Sequence, residues 1–243
     1  KRPFAPPPPT EHHLRDGPSN CAHPVDTGSR RWLRSSICLV RPRRFRGGSG
    51  QSAVVMLLSA SSWVQRWSHL LAPGTPVLDV ACGSGRHLAW FAHQGHPVTG
   101  VDRDIAAARV AVPAATLVEA DIENTPWPLQ QGGKPQPFGA VVVTNYLWRP
   151  LFPTLIASLA PGGVLLYETF ARGNETVGRP ARPDFLLEPG ELLNHCQGLD
   201  VVAYECGFFD HPARFVQRIA AVAPATPNFT HTAATPHPVR YPL

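Results

Sequence analysis

Residues 77–104 read VLDVACGSGRHLAWFAHQGHPVTGVDRD, and the order of residue types in this stretch sets the fold. Val77 to Val80 is a short apolar run of buried-strand length. Cys82-Gly83-Ser84-Gly85 follows as a turn with two glycines and no bulk. From Arg86 to Gln94 apolar residues recur at helical spacing (Leu88, Phe91, Ala92), and Gly95 stands where a C′ glycine ends a helix. A second apolar strand, 98–101, ends on Asp102. Strand, glycine turn, helix, strand and acid make half of a nucleotide-binding α/β unit. The ligand crosses the glycine turn, and the acid at the second strand end takes ribose hydroxyls.

The acid inside the first strand narrows the ligand. A dinucleotide site has GxGxxG and sets a pyrophosphate against the helix N-terminus. Here the pattern is Asp79-x-Ala81-x-Gly83-x-Gly85, and Arg86 breaks the GxGxxG spacing. A carboxylate aimed at pyrophosphate repels it. A carboxylate beside an ammonium and a sulfonium is favourable, which moves the reading from NAD to S-adenosylmethionine.

On these residues the chain resembles the class I S-adenosylmethionine-dependent methyltransferases. Within them it is similar to the small-molecule group that includes the tellurite-resistance-type enzymes. The family's first motif, acid-x-Gly-x-Gly-x-Gly, matches 79–85, with Ala81 where the first glycine is usual. Its ribose acid matches Asp102, and its adenine-side acid matches Asp121 in EADIE (119–123). Its fourth motif matches FGAVVVTNYL (138–147) and its fifth LAPGGVLLYE (159–168). The resemblance covers roughly residues 63–222. It implies a Rossmann-like α/β fold: a seven-stranded, mostly parallel sheet with a C-terminal antiparallel hairpin and helices on both faces. It implies S-adenosylmethionine as cofactor and S-adenosylhomocysteine as product.

The expected cofactor contacts are Asp79, Ala81, Gly83, Gly85, Asp102, Arg103, Asp121, Ile122 and Asn145. Gly83 and Gly85 are places where a ligand approaches backbone. Asp102 accepts both ribose hydroxyls, while Asp104 is the better placed cap for the next helix. Asp121 accepts from the adenine amine and Ile122 covers the ring, with Glu123 as the rival acid. Trp127 either closes over the adenine or packs a surface loop.

The expected acceptor side is built from the ends of the fourth and fifth strands. Tyr146 and Glu168 are the candidate catalytic residues; Tyr146, Trp148, Arg172 and Asn174 are the candidate substrate contacts. Two readings of Tyr146 stay open, a substrate-orienting or sulfonium-caging ring and a core tyrosine. Nucleic-acid amino-methylating enzymes carry Asp/Asn-Pro-Pro-Tyr at this point. Asn145-Tyr146-Leu147-Trp148 lacks both prolines, against that reading. Residues 171–188 (ARGNETVGRPARPDFLLE) are long for a strand-to-helix connection. They read as a substrate loop whose arginines meet an anion, or as a solvated loop, with Phe185-Leu186-Leu187 anchoring it. No histidine or cysteine grouping suggests a metal.

Outward from the motifs, 61–71 (SSWVQRWSHLL) reads as an amphipathic helix capped by Ser61 or Ser62. It either covers the cofactor's methionine end or packs two tryptophans on the sheet. Expected strands are 76–80, 97–101, 115–119, 138–143, 163–169, 201–207 and 215–222. Expected helices are 86–94, 104–111, 152–159 and 189–197. Strand–helix alternation argues for a parallel sheet, and two closing strands for a hairpin.

The chain ends differ in composition. Residues 1–55 carry ten Lys/Arg against three Asp/Glu, while 56–243 carry twelve against fourteen. The net charge of +5 therefore belongs to the first segment, and the catalytic part is not expected to bind nucleic acid. Residues 1–55 read as a disordered Pro/Arg-rich extension. Three explanations stay open: a natural start at Met56, a basic arm, or a transit peptide. The domain is expected over 56–223 and a Pro/Thr-rich tail over 224–243. Five cysteines without CxxC fit a reducing cytoplasm, and no apolar run approaches the ~20 residues of a membrane span. The function expected is methyl transfer to a small molecule: a thiol, an oxyanion or a carboxylate. RNA or protein methylation and a non-catalytic S-adenosylmethionine-binding protein are the rivals. The oligomeric state is not legible.

Overall fold

The computed structural model describes residues 59–225 and residue 241. The expected N-terminal extension, and all of the expected tail beyond residue 225 except Tyr241, lie outside the described residues.

Runs of branched apolar residues bury both faces of the central strands. These are β1 (Val77–Val80), β2 (Val98–Asp102), β6 (Phe138–Thr144) and β7 (Leu159–Phe170), joined at the edge by the more exposed β3 (Thr116–Glu119). They pair in parallel. The chain closes with β8 (Asp200–Asp210) and β9 (Ala213–Val222), antiparallel to each other, and β9 pairs antiparallel with β7. The order is β3-β2-β1-β6-β7-β9-β8, with seven strands. A separate two-stranded ribbon joins β4 (Gln130–Gln131) to β5 (Lys134–Pro135). It is an addition to the expected elements, although Gly132 and Gly133, both at positive φ, are a hairpin-turn pair.

Alternation along each strand builds two cores. Ala140 and Val142 face α1 (Ser62–Trp67), α2 (Arg86–His93) and α3 (Ala106–Ala111), meeting Trp63, Trp67, Leu88, Phe91 and Ala108. Val141 and Val143 face the opposite way, onto α4 (Phe152–Ala157) and α5 (Glu191–His195), with Phe152, Leu155 and Leu192. Leu88 and Phe91 are wholly buried. Each contributes on the order of 2 kcal/mol from burial alone, which seats α2 on the sheet.

Element ends differ from expectation for local reasons. α3 begins at Ala106 because the Asp104 carboxylate accepts the Ala106 N–H at 3.1 Å. α4 stops at Ala157, since the Ser158 carbonyl accepts from Phe138 N–H at 2.8 Å and β7 already starts at Leu159. β8 and β9 pair to the tip, Asp210 opposite Ala213, which leaves His211 and Pro212 as the turn. The expected 61–71 helix is one α-turn capped by Ser61, whose Oγ accepts the Trp63 N–H at 3.1 Å, and then a 3-10 turn over Ser68–Leu70.

Candidate active site

The parallel strands end at one edge of the sheet, where ligands of open α/β folds bind. The first half of that edge is the β1–α2 turn. Ala81 and Gly83 both take positive φ, +55° and +53°. A Cβ on Gly83 would meet nothing within 4 Å, so this stretch of backbone is open to a ligand. Gly85 differs. It caps α2 at φ +77°, and a Cβ there would lie 3.1 Å from Ala108 Cα. Its missing side chain lets α3 approach α2.

Asp102, at the end of β2, ties this turn to the next. Its Oδ2 accepts the Gly83 N–H at 2.9 Å and its Oδ1 accepts the Asp104 N–H at 3.0 Å. Each oxygen keeps a lone pair for a further donor. Asp121, after β3, accepts from Glu123 N–H at 3.2 Å and from the Asn124 carboxamide at 2.8 Å. The Asn124 hydrogen bond, first among several causes, holds its carboxyl below the usual aspartate range, and Arg103 adds to this. Arg103 itself is exposed. The rival acid, Glu123, is turned elsewhere: its Oε1 accepts the Tyr146 hydroxyl at 3.2 Å. Ile122 and Trp127 are half-buried against the core under α4 and α5, beside Tyr146 and Trp148.

Asp79 is almost wholly buried, and its Oδ2 has no hydrogen-bond partner among the described residues. His87 Nδ1 stands 3.7 Å away, beyond hydrogen-bond reach. The other ring nitrogen of His87, Nε2, accepts the Ser61 backbone N–H at 3.3 Å. A backbone N–H can only donate, so the His87 proton belongs on Nδ1, facing Asp79.

The second half of the edge is a charged row of which only Glu168 is expected from the sequence. Thr144, Glu168, Arg218 and Glu205 stand opposite one another across β6, β7, β9 and β8. Glu168 is buried; Arg218 Nη1 donates to its Oε2 at 3.1 Å and Ser61 Oγ donates to its Oε1 at 3.1 Å. Arg214 Nη2 lies 3.8 Å from the same Oε1. Arg218 also bonds Glu205 at 2.6 Å and lies between the rings of Trp63 and Phe209. Arg86, the first residue of α2, reaches over to Thr144 Oγ1 at 3.3 Å.

The expected catalytic and substrate residues have partners within the protein. Glu168 spends its lone pairs on arginine and serine, so it is a counter-ion and is not placed as a base. Burial, with Glu123 beside it, pushes the Tyr146 phenol well up, so it stays protonated and donates. Asn174 is buried; its carboxamide donates to the Pro180 carbonyl at 2.9 Å and accepts the Phe215 N–H at 3.2 Å. It clamps the 171–188 segment to β9 and is spent on that contact. Arg172 pairs with Glu188 at 2.8 Å on the surface. Trp148 packs on the core under α4 and α5. Asn145 is exposed at the end of β6, at φ +54°, and its N–H donates to the Glu168 carbonyl at 2.9 Å.

The 171–188 segment is pinned rather than loose. Leu186 and Leu187 are fully buried, as expected of the anchor, while Phe185 is half-buried. Arg149 holds the segment from below, donating to the carbonyls of Asp184 and Leu186, both at 2.9 Å, and to both oxygens of Glu191.

Comparison with known proteins bears on this geometry. The Methyltransferase domain family matches residues 77–163, from the start of β1 into β7. Over that stretch, a little over a third of the chain, it is similar to the class I S-adenosylmethionine-dependent methyltransferases. A trans-aconitate 2-methyltransferase of Paracidovorax citrulli is 37% identical over 102 residues, 39% of this chain and 38% of the relative. One from Shigella dysenteriae is 33% identical over 146 residues, 55% of this chain and 47% of the relative. The chain thus spans less than half the length of these curated relatives. Among solved structures, TehB from Haemophilus influenzae superposes with a TM-score of 0.53 at 20% identity, covering 68% of this chain and 62% of that one. An S-adenosylmethionine-dependent methyltransferase from Methanosarcina mazei gives 0.52 at 15%, covering 70% and 100%. Both likenesses concern the fold.

S-adenosylmethionine is the cofactor of this methyltransferase family, and the residues fit it. The open backbone at Gly83, the spare lone pairs of Asp102 and the orphaned, buried Asp79 oxygen match a ribose and an ammonium. A signal for the charged row is present in the sequence. Gln217 and Arg218 interrupt the apolar strand FVQRIAAV (215–222), and a charge inside a buried strand needs a partner.

Proposed function

We propose that this methyltransferase transfers a methyl group from S-adenosylmethionine to a small-molecule acceptor by in-line displacement. The observation that carries the reading is the pairing of Asp102 with the Gly83 N–H across an open turn, one strand from the orphaned Asp79 oxygen. Asp102 holds the ribose diol, Asp79 the ammonium, and Asp121 with Ile122 the adenine. The cofactor supplies a methyl group already activated on a sulfonium. The protein's part is therefore orientation and exclusion of water. Tyr146 donates from its phenol at the β6 end, while α1 and the pinned 171–188 segment enclose the acceptor. The names of the trans-aconitate relatives favour a small acceptor, and the slight acidic balance of 56–243 opposes a nucleic acid. No described helix is long and apolar enough to cross a membrane; we place the reaction in the cytoplasm.

The test is calorimetric titration of S-adenosylhomocysteine into the full chain and into Asp102→Ala. The expected result is binding that weakens roughly a hundredfold in the variant, the size of two lost charge-assisted hydrogen bonds. Equal affinity in a folded variant removes Asp102 from the cofactor site, and no binding by the wild type removes the proposal.

A further inference from the structure

Three arginines reach the strand ends from two elements, Arg86 from α2 and Arg214 and Arg218 from β9. Arg218 is saturated by Glu168 and Glu205. The other two are not. Among the described residues, Arg86 has one hydrogen bond, a long one of 3.3 Å to Thr144 Oγ1. Arg214 lies 3.8 Å from Glu168, and its Nε is buried without a partner among those residues. Thr144 and Glu168 stand opposite one another on β6 and β7, so the two guanidiniums reach the same strand ends. Burial, with Arg214 nearby, lowers the basicity of Arg86 against the pull of Asp79 and Glu168. Half-buried guanidiniums with spare donors favour an anion between them.

We propose that Arg86 and Arg214 together hold a carboxylate of the methyl acceptor, so that the acceptor is a small organic acid. This rests on the methyl-transfer reading above. The position of each arginine suits that role. Arg86 leaves the N-terminus of α2 beside the glycine turn, and Arg214 leaves the start of β9 beside Glu168. Both side chains reach the Thr144–Glu168 pair at the edge where the acceptor must face the donor.

The rest of the site agrees. Apart from Asp79, which the methyl-transfer reading gives to the cofactor's ammonium, each candidate base there is engaged: Glu168 with arginine and serine, Tyr146 as a donor to Glu123, and His87 Nε2 with the Ser61 N–H. An acceptor that is already ionised at neutral pH needs no base. For methylation at a carboxylate oxygen, an oxygen lone pair forms the C–O bond and the carbon–sulfur pair returns to sulfur. The sulfonium becomes a thioether, the acid an ester, and no proton is released. An unionised alcohol or amine would need a proton acceptor instead.

The experiment titrates acetate, succinate, citrate and trans-aconitate, each beside its neutral amide, into the full chain saturated with S-adenosylhomocysteine. We expect at least one acid to bind and its amide not to. Arg86→Met and Arg214→Met should each weaken that acid about tenfold or more, Arg214→Lys less, with S-adenosylhomocysteine affinity retained as proof of folding. No acid binding, or binding indifferent to both variants, overturns the proposal. Loss of S-adenosylhomocysteine but not of its decarboxylated analogue in Arg86→Met also overturns it, because Arg86 then serves the cofactor's own carboxylate. Failure of the wild type to bind S-adenosylhomocysteine is a different result and sinks the methyl-transfer reading itself.

Discussion

The two halves of the strand edge are built in opposite ways. At the β1–β2–β3 half, the contacts are short in sequence: Asp102 holds a backbone amide 19 residues away and another two residues away. At the β6–β7–β9 half, Glu168 gathers Ser61 from 107 residues before it and Arg218 from 50 residues after. The first half is shaped backbone with acids at its rim. The second is a buried ion network closed by α1. Damage to the first should therefore cost ligand affinity, and damage to the second should cost the fold.

The largest expected effect is Glu168→Gln. It takes one of the two carboxylates from the buried Arg218 and leaves Glu205 as the other, so the cost approaches about 3 kcal/mol, the lower end for breaking a buried pair. Urea unfolding measures it; a loss below about 1 kcal/mol dissolves the contrast, because the network would then add little to the fold. Gly85→Ala comes next. Positive φ and a Cβ 3.1 Å from Ala108 combine strain with overpacking, for about 1–3 kcal/mol. If this loss equals that of Glu168→Gln, the cofactor half is as structural as the acceptor half.

Ala81 tests the local character of the turn. Alanine held at φ +55° is in a conformation that glycine takes without strain. Ala81→Gly should stabilise the protein by about 0.5–1 kcal/mol, read as a raised urea midpoint with an unchanged slope. An unchanged or lowered midpoint means the turn gains more from a stiff chain than it loses to strain.

The smallest effect concerns the clamp on the 171–188 segment. Burial pushes the Glu191 carboxyl up, but the Arg149 fork, the Glu188 N–H and His195 together hold it below the glutamate range. A carboxyl lowered on folding stabilises above its unfolded value near 4.5. That contribution fades as pH falls through the lower folded value. The stability gap between wild type and Glu191→Gln should thus be present at pH 6 and close towards pH 3. Arg149 is partly exposed, so the gap is under about 1 kcal/mol. A gap that does not change with pH assigns the clamp to packing.

The sequence is most legible where function is carried by backbone shape. Gly83, Gly85, Asp102 and Asp121 lie within one strand–turn–helix–strand pattern and the strand after it, and glycine spacing, helical period and strand ends all read locally. The seven strands follow for the same reason, since period and length mark them. The ribbon at Gly132-Gly133 has its turn chemistry in the sequence, but its two-residue strands are too short to show a period. The acceptor half is not legible. Asn174 and Glu168 look like free polar groups in a string of residues, but the fold gives both of them partners. Arg214 and Ser61 carry no motif at all.

Local order therefore determined the nucleotide-binding unit, the sheet and the cofactor, because a turn or a strand is dictated by neighbours a few residues apart. The sequence marks Arg218 as a charge inside an apolar strand, but the partners of the charged row belong to the tertiary structure. Thr144, Glu168, Arg218 and Glu205 align only once β6, β7, β9 and β8 have taken their register. Whether a buried charge is a base, a counter-ion or a binding group depends on what lies within a few ångströms, and sequence distance does not reveal that.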